Sequence, residues 1–163
     1  MPQTIGNVTL TEVVIDAMWS VAPYKGKEKA VATALGTGFP KPNRTTSGAA
    51  IRALWGGPGM AFVICDALPD LTALAAVTDQ SDAWAVVAVS GADSVDVLAR
   101  LVPIDLRGKA FKTGHTARTM LGHMMVSVTR TGPDVFEIMA MRSMAGTLTH
   151  ELTRAATLYT GRG

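Results

Sequence analysis

The stretch "TGPDVFEIM", Thr131–Met139, repeats in outline one that the chain has already used, "GGPGMAFVI", Gly56–Ile64. Each sets a Gly-Pro pair, two or three further residues, and then a Phe and an Ile two positions apart. Gly and Pro together mark a turn, and residues spaced by two share one face of a strand. Both stretches therefore read as the corner and second arm of a β-hairpin. Other landmarks repeat with them. Trp19 and Trp84 are 65 residues apart, as are Gly26 and Gly91, while the two Gly-Pro pairs are 75 apart. The second copy has gained about ten residues on the way.

Working outward, "NVTLTEVVI" and "MWSVAPY" read as strands from their β-branched and aromatic content. Lys27–Leu35 reads as a helix with Val31, Ala34 and Leu35 on one face. "GTGFPKPNRTTSG", Gly36–Gly48, is a loop, and "IRALWGGPGMAFVIC" is two strands joined at Gly56–Gly59. "DALPDLTALAAV", Asp66–Val77, is expected to be helical, with Pro69 in its first turn. In the second half, "AWAVVAVSG" is a strand and Ser90 is expected to cap the helix that carries Val95, Leu98, Ala99 and Val102. "PIDLRGKAFKTG" is a loop. "TMLGHMMVSVTR" and "DVFEIMAM" are strands, and Ser143 is expected to cap a last helix with a stripe of Met144, Leu148, Leu152 and Ala155. Both halves thus read strand, helix, loop, hairpin, helix. The expectation is an α+β fold of two βαββα, ferredoxin-like pseudo-repeats, about 8–77 and 79–157, in one compact domain.

Composition narrows the function. Of 163 residues, 48% are hydrophobic and 17% charged, where soluble domains carry about 25% charged residues. The longest clean apolar run, Ala83–Val89, is far short of the ~20 residues of a spanning helix, so no membrane role is expected. An apolar chain without a span points to a surface covered by a partner. No basic n-region followed by an apolar core opens the chain, so a cytoplasmic protein is expected. Net charge is +2 and aromatics are 6%. That suits neither the basic stripe nor the stacking platforms of nucleic-acid binding. The single Cys65 ends an apolar strand and reads as a buried thiol in a reducing compartment.

Reaction chemistry is hard to find. His115 and His123, if carried on one strand, would lie about 26 Å apart, too far to share a metal, and His150 belongs to the last helix. No H-x₃-H or C-x₂-C spacing marks zinc. "GTGFPKPN" lacks the third glycine and the Lys-Ser/Thr ending of phosphate loops, and no serine sits in a G-x-S-x-G elbow. Asp66, Asp70, Asp79, Asp82, Asp93, Asp96 and Asp105 form no marked acid–base couple. The methionines between 120 and 141 are expected to be core filler or a pliable contact surface rather than a cofactor box.

The C-terminal half carries a resemblance. "DQSDAWAVVAVSGADSVDVLARLVPIDLRGKAF", Asp79–Phe111, then "ARTMLGHMMVSVTR" and "DVFEIMAMRSMAGTL", resembles the gamma subunit of heterotetrameric sarcosine oxidase. The shared features are D-x-S before the strand, S-G-A-D at the helix start, P-I-D-L, A-R-T-x-L-G and R-S-x-A. The likeness covers about 79–157, with "PNRTTSG" and "LWGGPGMAFVI" following in outline. It implies the tetrahydrofolate-binding fold of the glycine-cleavage T-protein, built from repeated βαββ units. In folate-active relatives an acidic pair follows the glycine after the T-x-L start. Here that stretch is "GHMMVSV", Gly122–Val128, and a thioether cannot exchange a proton.

The resemblance therefore implies a non-catalytic structural subunit with no catalytic, cofactor or metal residues of its own. Its partners would be alpha, beta and delta subunits, with FAD, FMN, NAD, tetrahydrofolate and zinc held by those other chains. Asp105, Arg107, Thr119, Arg142 and Ser143 are its candidate structural or partner-contact residues. Alternatives are a freestanding tetrahydrofolate-binding, one-carbon transfer protein, a gamma-like subunit of a related N-methyl amino acid dehydrogenase, or a small-molecule sensor module.

Overall fold

Both Gly-Pro stretches turn hairpins, and both hairpins carry the same irregularity. The structure, a computed structural model, describes residues 2–161. Strand β5 (Arg52–Gly57) runs into β6 (Met60–Ile64), and β10 (Met124–Gly132) into β11 (Val135–Met141). In the first hairpin the register slips between Trp55 and Gly57, in the second between Arg130 and Gly132. Each slip is a one-residue bulge beside the turn, which bends the strand and raises its twist.

The architecture is α+β with two antiparallel sheets. β3 (Met18–Pro23), β4 (Thr45–Ser47) and β7 (Ala75–Asp79) join the first hairpin in a five-stranded sheet of order β4-β5-β6-β3-β7. β8 (Trp84–Ser90), β9 (Thr116–Leu121), β1 (Gln3–Ile5) and β2 (Val8–Glu12) join the second in a six-stranded sheet of order β1-β2-β8-β11-β10-β9. The runs β3-β6-β5-β4 and β8-β11-β10-β9 use the strands in the same sequential order. Beyond them the sheets differ, one ending in β7 and the other in β2 and β1.

Contacts divide the chain into two units. Ile15–Asp82 forms one, and the residues on either side of it form the other. The strand at Val8–Glu12, read in sequence as opening the first half, instead pairs with β8 through Thr9–Ser90 to Glu12–Val87.

Each unit has its own core. In the inserted unit α1 (Glu28–Leu35) buries Val31 and Leu35 among Val21, Ala53, Val63 and Leu71, with Cys65 at the margin. Ala34, expected on the same face, is exposed. The other unit packs α2 (Ser94–Leu98) and α3 (Ala145–Thr160) on its sheet, where Leu148 and Leu152 meet Val8, Leu10, Val89, Phe136 and Ile138. Each such fully buried side chain contributes about 1.5–3 kcal/mol.

Four expectations are corrected. Asp66–Val77 is not a helix, so the inserted unit lacks the closing helix of a βαββα repeat. Asp70 Oδ1 accepts the Thr72 N–H and hydroxyl, the Leu74 and Ala75 N–H groups donate to Leu71 O, and after that single turn the chain extends into β7. Pairing with β3 overrides the helical propensity of the Leu/Ala run. The run Thr119–Arg130 is not one strand either. Gly122, at φ 58°, turns it with His123 into a hairpin in which Leu121 pairs with Met124. Ser90 does not cap α2, since its hydroxyl donates to Thr9 O and the residue before the helix is Asp93. Ser143 does not cap α3. It sits exposed in a 3₁₀ turn, Arg142–Met144, and no side chain caps the helix.

Candidate functional site

The β9–β10–β11 end of the six-stranded sheet gathers most of the residues singled out from sequence. On its inner face Met124, Val126 and Val128 alternate into the core with Leu121. On the other face lie the residues between them. Thr116 Oγ1 is 2.8 Å from Thr129 Oγ1 and 3.4 Å from Ser127 Oγ, all three buried. Hydroxyls can trade donor and acceptor roles, so this ladder satisfies itself without a charge.

Along the same face runs a row of soft side chains. Met120 pairs with Met125, and Met141 pairs with Trp84. One step beyond the Val126–Ala140 pair, Met125 and Met141 stand opposite each other. The Arg118 guanidinium lies 5.7 Å from the centre of the Trp84 ring, a cation–π distance. Met125 is 50% and Met141 47% exposed, while Met124 and Met139 are buried. The methionines of these strands are thus divided between the interior and the exposed face. Thioethers repack readily against an apolar partner. β10 opens on Met124 and Met125, with no carboxylate along its length.

The loop before β9 is held from beneath by Arg130. This side chain is buried over the Phe136 ring, its guanidinium carbon 5.0 Å from the ring centre. Nη1 donates to Leu106 O at 3.1 Å and Phe111 O at 2.8 Å, Nε donates to Gly132 O at 3.1 Å, and Nη2 donates to Pro133 O. One guanidinium thus ties the P-I-D-L loop to the second Gly-Pro corner through four carbonyls. Above it Asp105 and Arg107 meet, with Nη2–Oδ2 at 2.6 Å and Nε–Oδ1 at 2.8 Å. Hydrogen bonds from the Arg107 side chain and backbone hold the Asp105 carboxyl down at about 2. Both residues are exposed, and an ion pair of that kind contributes little stability.

Thr119 stands in β9 opposite Val126, and the Arg142 N–H donates to Ala83 O at the start of the 3₁₀ turn. The histidines stay apart in role. His115 packs edge-on against Phe111, ring centres 5.7 Å apart, His123 sits in the β9–β10 turn, and His150 is exposed on α3. Burial, with Asp66 alongside, pushes the Cys65 thiol above its usual range, as befits an unreactive core cysteine. Among the described residues no group of three His, Cys, Asp or Glu could hold a metal. No helix among them is long and apolar enough to cross a membrane. A groove of about 590 Å³ opens between α3 and the sheet, walled by Ala85, Val87, Ala145 and Thr149 with Glu12 and His150 at its rim.

Arg130, Arg118 and Trp84 were not singled out in sequence as contact residues. The one available sign for Arg130 was a basic residue closing an otherwise apolar strand.

The α+β architecture of two antiparallel sheets is a T-protein-like fold. Residues 61–161 match the family model of the GCVT N-terminal domain, and the chain belongs to that family. Among solved structures it is similar to a chain of the heterotetrameric sarcosine oxidase from Corynebacterium sp. U-96, determined in complex with pyrrole 2-carboxylate. The TM-score is 0.85 and identity 23%, over 98% of this chain and 88% of that one. It is also similar to the glycine cleavage system aminomethyltransferase T from Bartonella henselae. There the TM-score is 0.64 and identity 15%, over 91% of this chain and 46% of that one. No curated protein sequence matches. At these identities the structural likenesses carry the fold.

Proposed function

We propose that this chain is the gamma-type subunit of a heterotetrameric sarcosine-oxidase-type flavoenzyme, a structural member that packs against alpha, beta and delta chains and does no chemistry itself. The observation that carries the reading is the extent of the fold match. The chain runs nearly end to end with one chain of a heterotetrameric enzyme, 98% against 88%, but spans under half of the aminomethyltransferase. The methionine pair that opens β10 supports it, because that place offers no proton-transfer group. The half-exposed Met125 and Met141 support it as well, since such a surface suits an apolar partner.

In this reading the complex works in the cytoplasm and oxidises the N-methyl group of sarcosine to glycine and hydrogen peroxide. With tetrahydrofolate it releases the carbon as 5,10-methylenetetrahydrofolate. FAD, FMN, NAD, tetrahydrofolate and zinc belong to the other chains. A related N-methyl amino acid dehydrogenase would use the same plan with another substrate.

Native purification through a tag on this chain, with intact mass and an absorbance spectrum, tests the proposal. Larger chains arriving with a flavin spectrum are expected, and the substrate then follows from assay with sarcosine and other N-methyl amino acids. A colourless protein arriving alone overturns the reading. Membership of the GCVT family favours one second reading, a freestanding tetrahydrofolate-binding protein. A tetrahydrofolate titration of the isolated chain decides it, with saturable binding expected only if that second reading holds.

A further inference from the structure

Strand β7 ends the five-stranded sheet with one edge open. Its pairing with β3 fixes which backbone groups face that edge. The Tyr24 N–H donates to Leu74 O at 2.9 Å, and the Gln80 N–H donates to Met18 O at 2.8 Å. In an antiparallel ladder bonded pairs alternate, so Leu74, Ala76, Thr78 and Gln80 turn their N–H and C=O groups to β3. Ala75, Val77 and Asp79 turn theirs outward. The Ala75 N–H is already taken by Leu71 O. Val77 and Asp79 keep both groups available, and Ala75 keeps its carbonyl.

Among the described residues no strand pairs with this edge. Residues 76–79 are all exposed, and the strand has no Lys, Pro or bulge of the kind that natural sheets use to blunt an edge. Beside it a pocket of about 460 Å³ is lined by Tyr24, Leu68, Leu71 and Val77, with Tyr24 49% and Val77 37% exposed. The charged side chains of the strand and of the pocket lining are the carboxylates Asp79 and Asp70, with Lys25 following Tyr24 at one end. No Lys or Arg occurs between Arg52 and Arg100, while Asp66, Asp70 and Asp79 are exposed.

We infer that β7 is a docking edge to which a partner polypeptide adds an extended, Lys- or Arg-bearing strand, with one apolar side chain seated in the pocket. Backbone bonds at the edge supply the affinity, and alternate side chains supply the selectivity. A second copy of this chain fits poorly. Antiparallel pairing about Val77 would set Asp79 of one copy opposite Ala75 of the other, next to Asp70, so carboxylates would face carboxylates. The inference rests on the accessory-subunit reading, since it names where such a complex meets this chain.

The test is residue-resolved amide exchange on the chain alone and in its natively purified complex, together with the variant Val77→Pro. In the complex the Val77 and Asp79 amides are expected to slow at least tenfold, while those of Ala76 and Thr78 change little. Val77→Pro removes an N–H that β3 does not use, so it is expected to keep its melting temperature and lose at least tenfold in recovered partner. A complex in which residues 75–79 exchange as in the free chain overturns the inference and leaves the accessory-subunit reading standing. A self-associated chain with Val77 and Asp79 protected overturns the choice of partner. If no complex forms at all, the reading beneath it fails instead.

Discussion

The two Gly-Pro corners place the same bulge beside the same turn and stabilise it by different means. At the first, the extra residue is Gly56, and a Cβ there would lie 2.6 Å from Met60 Sδ and 3.1 Å from Phe62. That corner is packed closely against the Met60 and Phe62 side chains. At the second, the extra residue is the exposed Thr131, and the position equivalent to Trp55 is Arg130, whose guanidinium collects four carbonyls. A turn can be conserved in shape while its support passes from apolar contact to a buried cation. The cation also reaches further. It fixes the loop of Leu106 and Phe111, which the first unit does not have.

The sharpest way to break the comparison is at the paired glycines. A Cβ on Gly91 would come within 1.9 Å of Asn7 O, at φ +122°, where one on Gly26 would meet nothing. Gly91→Ala is expected to cost about 4 kcal/mol or more, enough to prevent stable folding. Gly26→Ala costs about 1 kcal/mol, from its left-handed φ alone. Urea unfolding of both variants reads the difference, and equal costs would refute the contrast.

Arg130→Met comes next. It keeps the apolar stem but strands the carbonyls of the loop and the corner, and a loss of about 3 kcal/mol is expected. Faster amide exchange should be confined to residues 103–115 and the Gly132–Asp134 turn. A uniform loosening of the unit would instead mean that Arg130 serves general packing.

Gly56→Ala is expected to cost about 1–3 kcal/mol by overpacking, whereas Thr131→Ala at the matching bulge should fall within about 0.5 kcal/mol of the parent. Matching midpoints for the two would dissolve the distinction between the corners. The smallest effect belongs to Ser143→Ala. With no cap bond to lose, it should move the thermal midpoint by less than a degree or two, and a loss near 1 kcal/mol would restore the cap that the structure lacks.

Legibility in the sequence followed the range of the interactions. Hairpin arms with Phe and Ile two apart, the strand at Trp84–Ser90, and the stripe of Leu148, Leu152 and Ala155 depend on neighbours within one element, and they were readable. β1 and β4 span only three residues each, too few for a period to show. Asp66–Val77 has the composition of a helix, and only its pairing with β3, more than fifty residues away, makes its end a strand. Gly122 hid inside an apolar run because the methionines after it read as a continuation. At the candidate site the Asp105–Arg107 pair was legible, being two residues apart. The Arg130 latch was not, because its acceptors at Leu106 and Phe111 are set by the fold. The exposed methionines were expected as a type of surface but could not be assigned a face until β9 and β10 were separated.

The sheet that begins at Gln3 is finished only by strands that follow Asp82, with Ile15–Asp82 folded between them. On the ribosome, where domains tend to complete in the order they emerge, the middle of this chain can close its own sheet while the last half is still being made. The first two strands must wait, their edge unpaired, until Trp84–Ser90 leaves the exit tunnel. The N-terminal hairpin thus acts as a seal applied late. A nascent chain halted near residue 82 would hold one finished unit and one hydrophobic strand pair with nothing to join.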